Sequence, residues 1–533
     1  MQMLRRGAVI AAGAVLLAAP MGGAVAFASS SAPSTLTIGN IGDADTLDPI
    51  FSTSVPALDI EQMIFTPLYT VSPHGRLVPE DATHWTVSSN NLTYTFYLSK
   101  AYHWSDGQPV TAADYVFSMD VILNPKANAP GYGTYQPIIK SVTAPSPYVL
   151  QVTLKSPTAP FLAGDFVNFY PIPKHILDKV PVSKLATNSY GNDPTVTDGP
   201  YKFVAWKHND YIEVTANPNY GGPPAHIQNI VYKIVPDQNT LVAELRTGQI
   251  QFDEGVPPQD VAEVKKFAGI DLKRFTNAEY VYMGFNFKYF KPFDSLAVRQ
   301  AIAYGINRKA IVKDVVLGYG QLANGTVLPS VKWAYDPNIK GYNYHPNRAA
   351  KLLAAHGWKV DKNGILAKNG QELAFTLMTN AGNQVRDEIV QIIQQELAKL
   401  HIKVTPDIID FSTLVTNYVN PGKFQALVLG WQLTAPDPDV SSIFDVTQEP
   451  PAGLNVGWYN DPIVNKEDQI EIHNLNQAVR AKAFYKIQEE MYKNPPYVFL
   501  YYAQTVTAFT SNLRGYVPSP FLDFYNIQNW SLK

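Results

Sequence analysis

The hydrophobic periodicity of this 533-residue chain changes between its two halves, and the change restricts the folds that it can adopt. In the first half, segments 92–98 and 148–154 alternate with a period of two, which predicts strands with one buried face. Segments 201–206 and 211–215, separated by a short polar turn, predict a β-hairpin. The first half is therefore expected to be rich in strands.

The second half alternates helices with strands. Asn383 to Leu400 is the clearest helix, because its apolar side chains recur at three- and four-residue spacing on one face. Further helices are predicted over 295–305, 346–356 and 475–491. The apolar run 497–502 fits a buried strand. A strand-rich part followed by an α/β part, in a chain of this length, predicts two large lobes or about three domains of mixed α+β class.

The N-terminus has the pattern of a cleavable secretory signal over residues 1–28. Arg5 and Arg6 form a short basic region, Ala8 to Ala19 form an apolar region, and Ala26-Phe27-Ala28 is a small-x-small cleavage site. A membrane anchor is the less favoured alternative, because proline and glycine interrupt the stretch before the roughly 20 apolar residues that a span needs. The chain has no cysteine, which excludes disulfides and lipid attachment at an N-terminal cysteine. The mature protein is expected in the periplasm or outside the cell.

Short catalytic motifs are absent from the sequence. No G-x-S-x-G, no phosphate-binding G-x-x-x-x-G-K-[ST] and no H-E-x-x-H occurs. A formal net charge of −3 without a basic stripe argues against nucleic acid as a partner. Asp437 and Asp439 flank Pro438 in a loop, where both carboxylates are expected to be solvated or to cap the turn. We expect a binding protein and not an enzyme; a secreted hydrolase stays an alternative, because glycosidase carboxylates carry no short motif.

Several segments together resemble one protein family. They are Asp45 to Pro49 (DTLDP), Trp104 to Ser118, Gly199 to Phe203, Val298 to Arg308 and Leu429 to Trp431, and they occur in the order typical of the family. The family is that of the extracellular solute-binding proteins of family 5, the peptide- and nickel-type proteins of ABC importers. The resemblance implies a bilobal, type II periplasmic-binding-protein-like fold with an extra subdomain in the first lobe. It also implies a ligand that is enclosed by hinge closure and delivered to the importer's membrane permease.

The resemblance and the periodicity together suggest where the lobes lie. Residues 34–275 and 505–533 are expected to form lobe I, with a subdomain inserted at about 68–190. Residues 276–504 are expected to form lobe II. Because the C-terminal tail returns to lobe I, two connections would form a hinge, and the cleft between the lobes would bury the ligand.

Peptides, more specifically oligopeptides, are the ligands that the resemblance favours. An extended peptide can satisfy its N–H and C=O groups on exposed protein backbone, while its side chains point into roomy, hydrated pockets. The resemblance puts Gly430, Trp431 and Gln432 beside the ligand. In many peptide binders of the family, an acidic residue three positions after the tryptophan pairs with the ligand ammonium, but here that position is Thr434. Asp437 replaces this acid through a different loop path, or it only shapes the turn.

Three further residues are candidate ligand contacts. Phe51 and Thr53, after the DTLDP segment, are expected to offer backbone groups to the ligand. Arg386, at the start of a helix, is a candidate partner for a ligand carboxylate, with an ordinary surface arginine as the alternative. Thr434 in place of an acid also leaves open a non-peptide solute, such as a metal chelate, an oligosaccharide or an opine-like compound. We expect no cofactor and no bound metal, and we expect a monomer.

Overall fold

The structure is a computed structural model that describes residues 34–451 and 453–533. The signal peptide predicted over 1–28 lies outside the described residues. None of the described helices is long and apolar enough to cross a membrane.

Eleven strands of the described chain form one large sheet. They are β1 (Thr35–Asn40), β8 (Tyr201–Lys207), β9 (Tyr211–Ala216), β10 (Asn229–Ile234), β11 (Phe252–Asp253), β12 (Ile270–Phe285), β13 (Gly320–Leu322), β17 (Ala374–Asn380), β18 (Lys403–Ile409), β19 (Ala426–Gln432) and β20 (Tyr497–Thr510). Their order is β18-β17-β19-β12-β20-β11-β1-β10-β9-β8, and β13 pairs with β20. The predicted hairpin is confirmed as the antiparallel pair β8 and β9.

Smaller sheets hold the remaining described strands. These strands are β2 (Tyr69–Val71), β3 (Leu77–Pro79), β4 (Ala82–Val87), β5 (Thr93–Leu98), β6 (Ile139–Ser146), β7 (Val149–Leu154), β14 (Lys359–Val360), β15 (Leu366–Lys368), β16 (Gln371–Glu372), β21 (Leu513–Arg514) and β22 (Ser531–Leu532). Strands β4-β5-β7-β6 form an antiparallel four-stranded sheet. In β5 and β7 every second side chain is buried, which confirms the two strands predicted from their alternation.

Most of the longer helices lie in the second half of the chain. The helices are α1 (Val55–Ile64), α2 (Ala112–Ile122), α3 (Tyr132–Ile138), α4 (Lys174–Leu177), α5 (Gln238–Thr247), α6 (Val261–Val264), α7 (Leu296–Gly305), α8 (Arg308–Ala310), α9 (Pro346–Ala355), α10 (Gln384–Ala398), α11 (Phe411–Leu414), α12 (Ser441–Phe444), α13 (Pro462–His473) and α14 (Gln477–Lys493). Helices α7, α9 and α10 confirm their predictions. The helix predicted from residue 475 begins two residues later as α14, because Asn476 caps its N-terminus, and Leu475 is exposed.

The buried apolar side chains fall into separate groups along the chain. One core joins residues 36–252 with residues 509–530. Two other cores are built from residues 278–503. A smaller core joins residues 235–264 with Val506 and Ala508. Separate cores of this kind are typical of a molecule with more than one lobe.

Strands β12 and β20 connect the core of residues 36–252 with the cores of residues 278–503. They pair antiparallel from Ile270 opposite Thr510 to Gly284 opposite Tyr497, with a register shift between Thr276 and Tyr280. The strand predicted over 497–502 therefore continues to residue 510. The strand continues because residues 497–503 and residues 506–509 are both buried. The short apolar run 497–502 did not indicate the second of these stretches.

Candidate ligand-binding site

A cavity of about 730 Å³ is lined by residues of the core of residues 36–252 and by residues of the cores of residues 278–503. Helix α1, the loop before it and the segment after β11 supply one part of the wall. The middle of β12 (residues 277–282), the end of β19 and residues of the segment 433–439 supply another. Protein cavities that bind small ligands typically have volumes of about 300–1,000 Å³.

Seven of the eight predicted site residues line this cavity. They are Thr53, Arg386, Gly430, Trp431, Gln432, Thr434 and Asp437. Phe51 is not among the lining residues; its side chain packs against the core of residues 36–252. The structure therefore brings most of the predicted set together, while contact of each residue with a ligand stays a prediction.

The backbone donors predicted for the ligand at positions 51 and 53 are used within the protein. The Phe51 N–H donates to the Asp48 carbonyl oxygen at 2.9 Å. The Thr53 N–H donates to Asp45 Oδ2 at 2.9 Å, and Thr53 Oγ1 accepts from Asn420 Nδ2 at 2.9 Å. Thr53 thus faces the cavity with a hydroxyl that already has a partner.

Arg386 is fixed at the cavity wall and is not an ordinary surface arginine. Its side chain is 15% exposed; Nη1 donates to Asn380 Oδ1 at 2.8 Å, and Nη2 lies 3.4 Å from Glu279 Oε1. Gly430 makes room for this pair, because a Cβ at that position would overlap Glu279 Oε1. Sequence reasoning missed Glu279, which lies on β12 beside the paired strand β19.

Trp431 and Gln432 are held by partners that lie far away in the sequence. Trp431 Nε1 lies 3.4 Å from the Tyr497 hydroxyl oxygen, to which it donates. Gln432 Nε2 donates to Asp523 Oδ2 at 3.4 Å, so the C-terminal tail reaches the end of β19.

Asp437 caps the turn, as one of the two expectations had it, because its Oδ1 accepts from the Asp439 N–H at 3.1 Å; it is not solvated. Arg480 on α14 binds both of its carboxylate oxygens at 2.7 Å, and the Asp437 side chain is 6% exposed. The same guanidinium lies 2.8 Å from Glu471 Oε2 on α13. Asp439 caps the following turn as expected, accepting from the Ser441 N–H at 2.8 Å. Because both Asp437 oxygens are already bound, Asp437 is a weak candidate for the partner of a ligand ammonium.

The cavity lining is strongly acidic. Among the described residues, its carboxylates are Glu61, Asp165, Asp253, Glu254, Glu279, Asp437, Asp439 and Asp523, and its one basic residue is Arg386. Burial raises the pKa of Glu61 to about 8 and the pKa of Asp253 and of Asp523 to about 6. The sequence did not indicate this cluster, because its members are spread from position 61 to position 523.

The protein without ligand is expected to unfold at a higher temperature at pH 5 than at pH 8. Burial also raises the pKa of Asp48 and of Asp81 to about 7, whereas these groups titrate near 4 in an unfolded chain. Between about pH 4 and pH 8 the folded state therefore binds more protons, and its stability falls as the pH rises through this window. Thermal unfolding at constant ionic strength checks this. Glu61→Gln should reduce the fall near pH 8, and a melting temperature that rises with pH would contradict the prediction.

The comparisons with known proteins cover nearly the whole chain. Residues 76–449 match the family described as bacterial extracellular solute-binding proteins, family 5 Middle. The oligopeptide-binding protein AppA of Bacillus subtilis is 32% identical over 503 residues, which is 93% of this chain and 91% of AppA.

Two solved structures extend the match to the fold. AppA in complex with a nonapeptide superposes with a TM-score of 0.89, covering 94% of this chain and 100% of that one at 32% identity. NikZ of Campylobacter jejuni in complex with Ni(L-His) gives a TM-score of 0.82 at 27% identity, covering 93% and 99%. These matches confirm the bilobal periplasmic-binding-protein-like fold. The chain belongs to the bacterial extracellular solute-binding proteins of family 5.

Proposed function

We propose that this protein captures oligopeptides in its cavity, outside the cytoplasm, and delivers them as a monomer to the permease of an ABC importer. The observation that carries the proposal is the match, over more than nine-tenths of both chains, to an oligopeptide-binding protein whose structure contains a nonapeptide. The acidic cavity of about 730 Å³ supplies an enclosed place for such a ligand.

The lobes that we propose are residues 34–275 with 505–533, and residues 276–504. The separation of the hydrophobic cores supports this division, as do the two long strands β12 and β20 that cross it. The subdomain proposed at about 68–190 contains the four-stranded sheet β4-β5-β7-β6. Domain closure about two adjacent strands would exclude water from the cavity and strengthen the polar contacts within it.

An unpaired strand edge supports capture of an extended peptide. Strand β17 pairs with β19 only at Ala426 and Leu427, so within the described chain the stretch Leu429–Gln432 has a paired strand only on the side of β12. These residues line the cavity. An extended peptide can add to such an edge through its own backbone, which gives affinity with little dependence on side-chain sequence.

Ligand screening by thermal unfolding tests the proposal. A ligand that binds only the folded state raises the melting temperature, and the rise grows with the logarithm of the ligand concentration divided by its Kd. Peptides of roughly two to ten residues, which can pair through their backbone, are expected to raise it, and free amino acids, which have no peptide group to pair, to raise it less. If no peptide of this range shifts the transition, peptide capture is wrong.

A metal chelate or another non-peptide solute is the second candidate. Thr434 stands where many peptide binders of the family have an acid, and a similar structure, NikZ, contains Ni(L-His). Mass spectrometry of the material released by denaturing the purified protein separates the two candidates. Released peptides support the first, and a released nickel chelate, oligosaccharide or opine-like compound supports the second. Turnover of peptide or glycan substrates that survives repurification of the protein would instead favour a hydrolase.

Trp431→Ala is expected to weaken peptide binding by more than about 1 kcal/mol, or roughly fivefold or more. The indole lines the cavity at the end of β19, and truncation would remove its apolar contact with the ligand. Isothermal titration calorimetry against a peptide found in the screen measures the change. The matched control is Tyr289→Ala, because Tyr289 is an exposed aromatic residue outside the cavity lining, and its affinity should be unchanged. Trp358 is unsuitable as a control because its indole is buried in a core. Unchanged affinity in folded Trp431→Ala would remove Trp431 from the site.

A further inference from the structure

Three carboxylates from distant parts of the chain meet beside the cavity. Asp59 lies on α1, Glu254 follows β11 and Asp523 lies in the C-terminal tail. One carboxylate oxygen of each lies within 4.8 Å of the others. Glu254 and Asp523 line the cavity itself. We call these three residues the carboxylate trio.

Each member of the carboxylate trio has one neutral hydrogen-bond donor. Tyr232 donates its hydroxyl hydrogen to Asp59 Oδ2 at 3.3 Å, Asn40 Nδ2 donates to Glu254 Oε2 at 2.5 Å, and Gln432 Nε2 donates to Asp523 Oδ2 at 3.4 Å. None of the ion pairs of the described chain involves a member of the trio. Within the described chain the trio therefore has hydrogen-bond donors but no cationic partner.

Two buried oxygens of the trio receive no hydrogen bond from a donor outside it. Asp59 is 1% exposed, and no other described residue donates to its Oδ1 or to Glu254 Oε1; a proton that Asp59 retains joins it to Asp523. Buried carboxylate oxygens without a partner are unfavourable, and buried charges normally occur in pairs. The trio thus has unused capacity to bind a positive group.

The rest of the cavity does not supply that positive group. Arg386, the basic residue of the described lining, lies beside Glu279 and donates to Asn380. Burial, followed by the neighbouring carboxylates, raises the pKa of Asp59 and of Glu254 well above the usual range. An entering cation would therefore take the place of protons that the trio retains in its absence.

We infer that the carboxylate trio binds the ammonium or guanidinium group of a ligand side chain, so that the protein selects peptides that carry a lysine or an arginine. This inference rests on the proposed capture of peptides in the cavity. Gln432 supports it, because the residue that ends β19 at the predicted ligand position also contacts Asp523. A peptide added along the free edge of β19 would place a cationic side chain within reach of Asp523.

An organic cation fits the trio better than a metal ion. The neighbours Tyr232, Asn40 and Gln432 direct hydrogens, not lone pairs, toward the carboxylates, so they do not complete a coordination shell. Calcium needs about six to eight oxygen ligands, and magnesium needs a near-ideal octahedron. An ammonium group needs only acceptors for its three hydrogens, and the three carboxyl groups of the trio can each provide one.

Calorimetry with three pentapeptides of one length tests the inference. The probes are Ala-Lys-Ala-Lys-Ala, Ala-Glu-Ala-Glu-Ala and penta-alanine, titrated into the intact protein, Glu254→Gln and Asp523→Asn. We expect the lysine peptide to bind at least about tenfold more tightly than the glutamate peptide. Each variant should reduce that ratio at least about threefold. Glu263→Gln, an exposed carboxylate outside the cavity, is the matched control and should leave the ratio unchanged.

Two additional probes identify the source of the cation. N-acetylation of the lysine peptide removes the terminal ammonium, and replacing its lysines by norleucine removes the side-chain charges. Only the effect of the norleucine replacement should disappear in Glu254→Gln and Asp523→Asn. If the effect of acetylation disappears instead, the trio binds the peptide N-terminus and the inference is overturned. Because these variants conserve side-chain shape, circular dichroism is expected to show that they are folded.

The outcomes separate this inference from the proposed function. Equal affinity for the lysine and glutamate peptides, or a ratio unchanged in both variants, overturns the inference and leaves peptide capture intact. Failure of all peptides to bind overturns the proposed function and the inference with it. The last control is calcium or magnesium chloride alone. If either salt raises the melting temperature of the protein but not that of Glu254→Gln, the trio is a metal site and the inference is overturned.

Discussion

Arg480→Met is expected to lower the free energy of unfolding by about 3–5 kcal/mol. The guanidinium joins Asp437 and Glu471, and the three side chains are 7%, 6% and 0% exposed. Methionine would fill much of the volume but leave two carboxylates buried without a cation. Urea unfolding followed by circular dichroism measures the change.

Arg246→Met is the matched control for this prediction. Arg246 also pairs with a glutamate, Glu263, but both side chains are more than half exposed, so water and salt screen the pair. Its loss is expected to change stability by less than about 1 kcal/mol. A similar small change in Arg480→Met would show that the buried pair contributes no more than an exposed one.

Gly382→Ala is expected to weaken peptide binding about 5- to 150-fold, which corresponds to about 1–3 kcal/mol. Gly382 has a φ of +83°, and a Cβ there would overlap the carbonyl oxygen of Pro236. The next residues are also in contact, since the Gln384 N–H donates to Gln238 Oε1 at 2.8 Å. In the proposed division, Pro236 and Gly382 belong to different lobes, so the clash would oppose closure of the cavity. Calorimetry with a peptide from the screen measures the loss.

Gly370→Ala separates the clash from backbone strain. Gly370 has a similar φ of +78°, but a Cβ there would meet nothing within 4 Å. Both alanine variants should therefore lower the melting temperature of the unliganded protein to a similar extent, and only Gly382→Ala should lose affinity. A large additional loss of stability in Gly382→Ala, with unchanged affinity, would show that Pro236 and Gly382 pack within one rigid body.

The elements that sequence reasoning predicted are those with a strong local period. Helix α10 lies where apolar residues recur at three- and four-residue spacing, and β5 lies where they alternate. The ordered family motifs also led to the end of β19 at the cavity. These signals need only residues that are near one another in the chain, or a set of short segments in the right order.

Buried charge was the feature that sequence reasoning predicted least well. Arg299 lies on α7 and Arg308 begins α8, where a local pattern predicts a charge on the exposed face of a helix. In the structure both are buried and donate to backbone carbonyl oxygens, for example to those of Pro495 and Phe499. Their partners lie almost 200 positions away, so no local pattern indicated them.

The sequence by itself determined the strand-rich and α/β parts, the bilobal class and the β19 segment that lines the cavity. Only the tertiary structure decided which charges meet there: Arg480 with Asp437, Arg386 with Glu279, and Asp59 with Glu254 and Asp523. The physical reason is that periodicity depends on the few neighbouring residues that share a face. The energy of a charge depends instead on burial and on every group within a few ångströms, whatever its position in the chain.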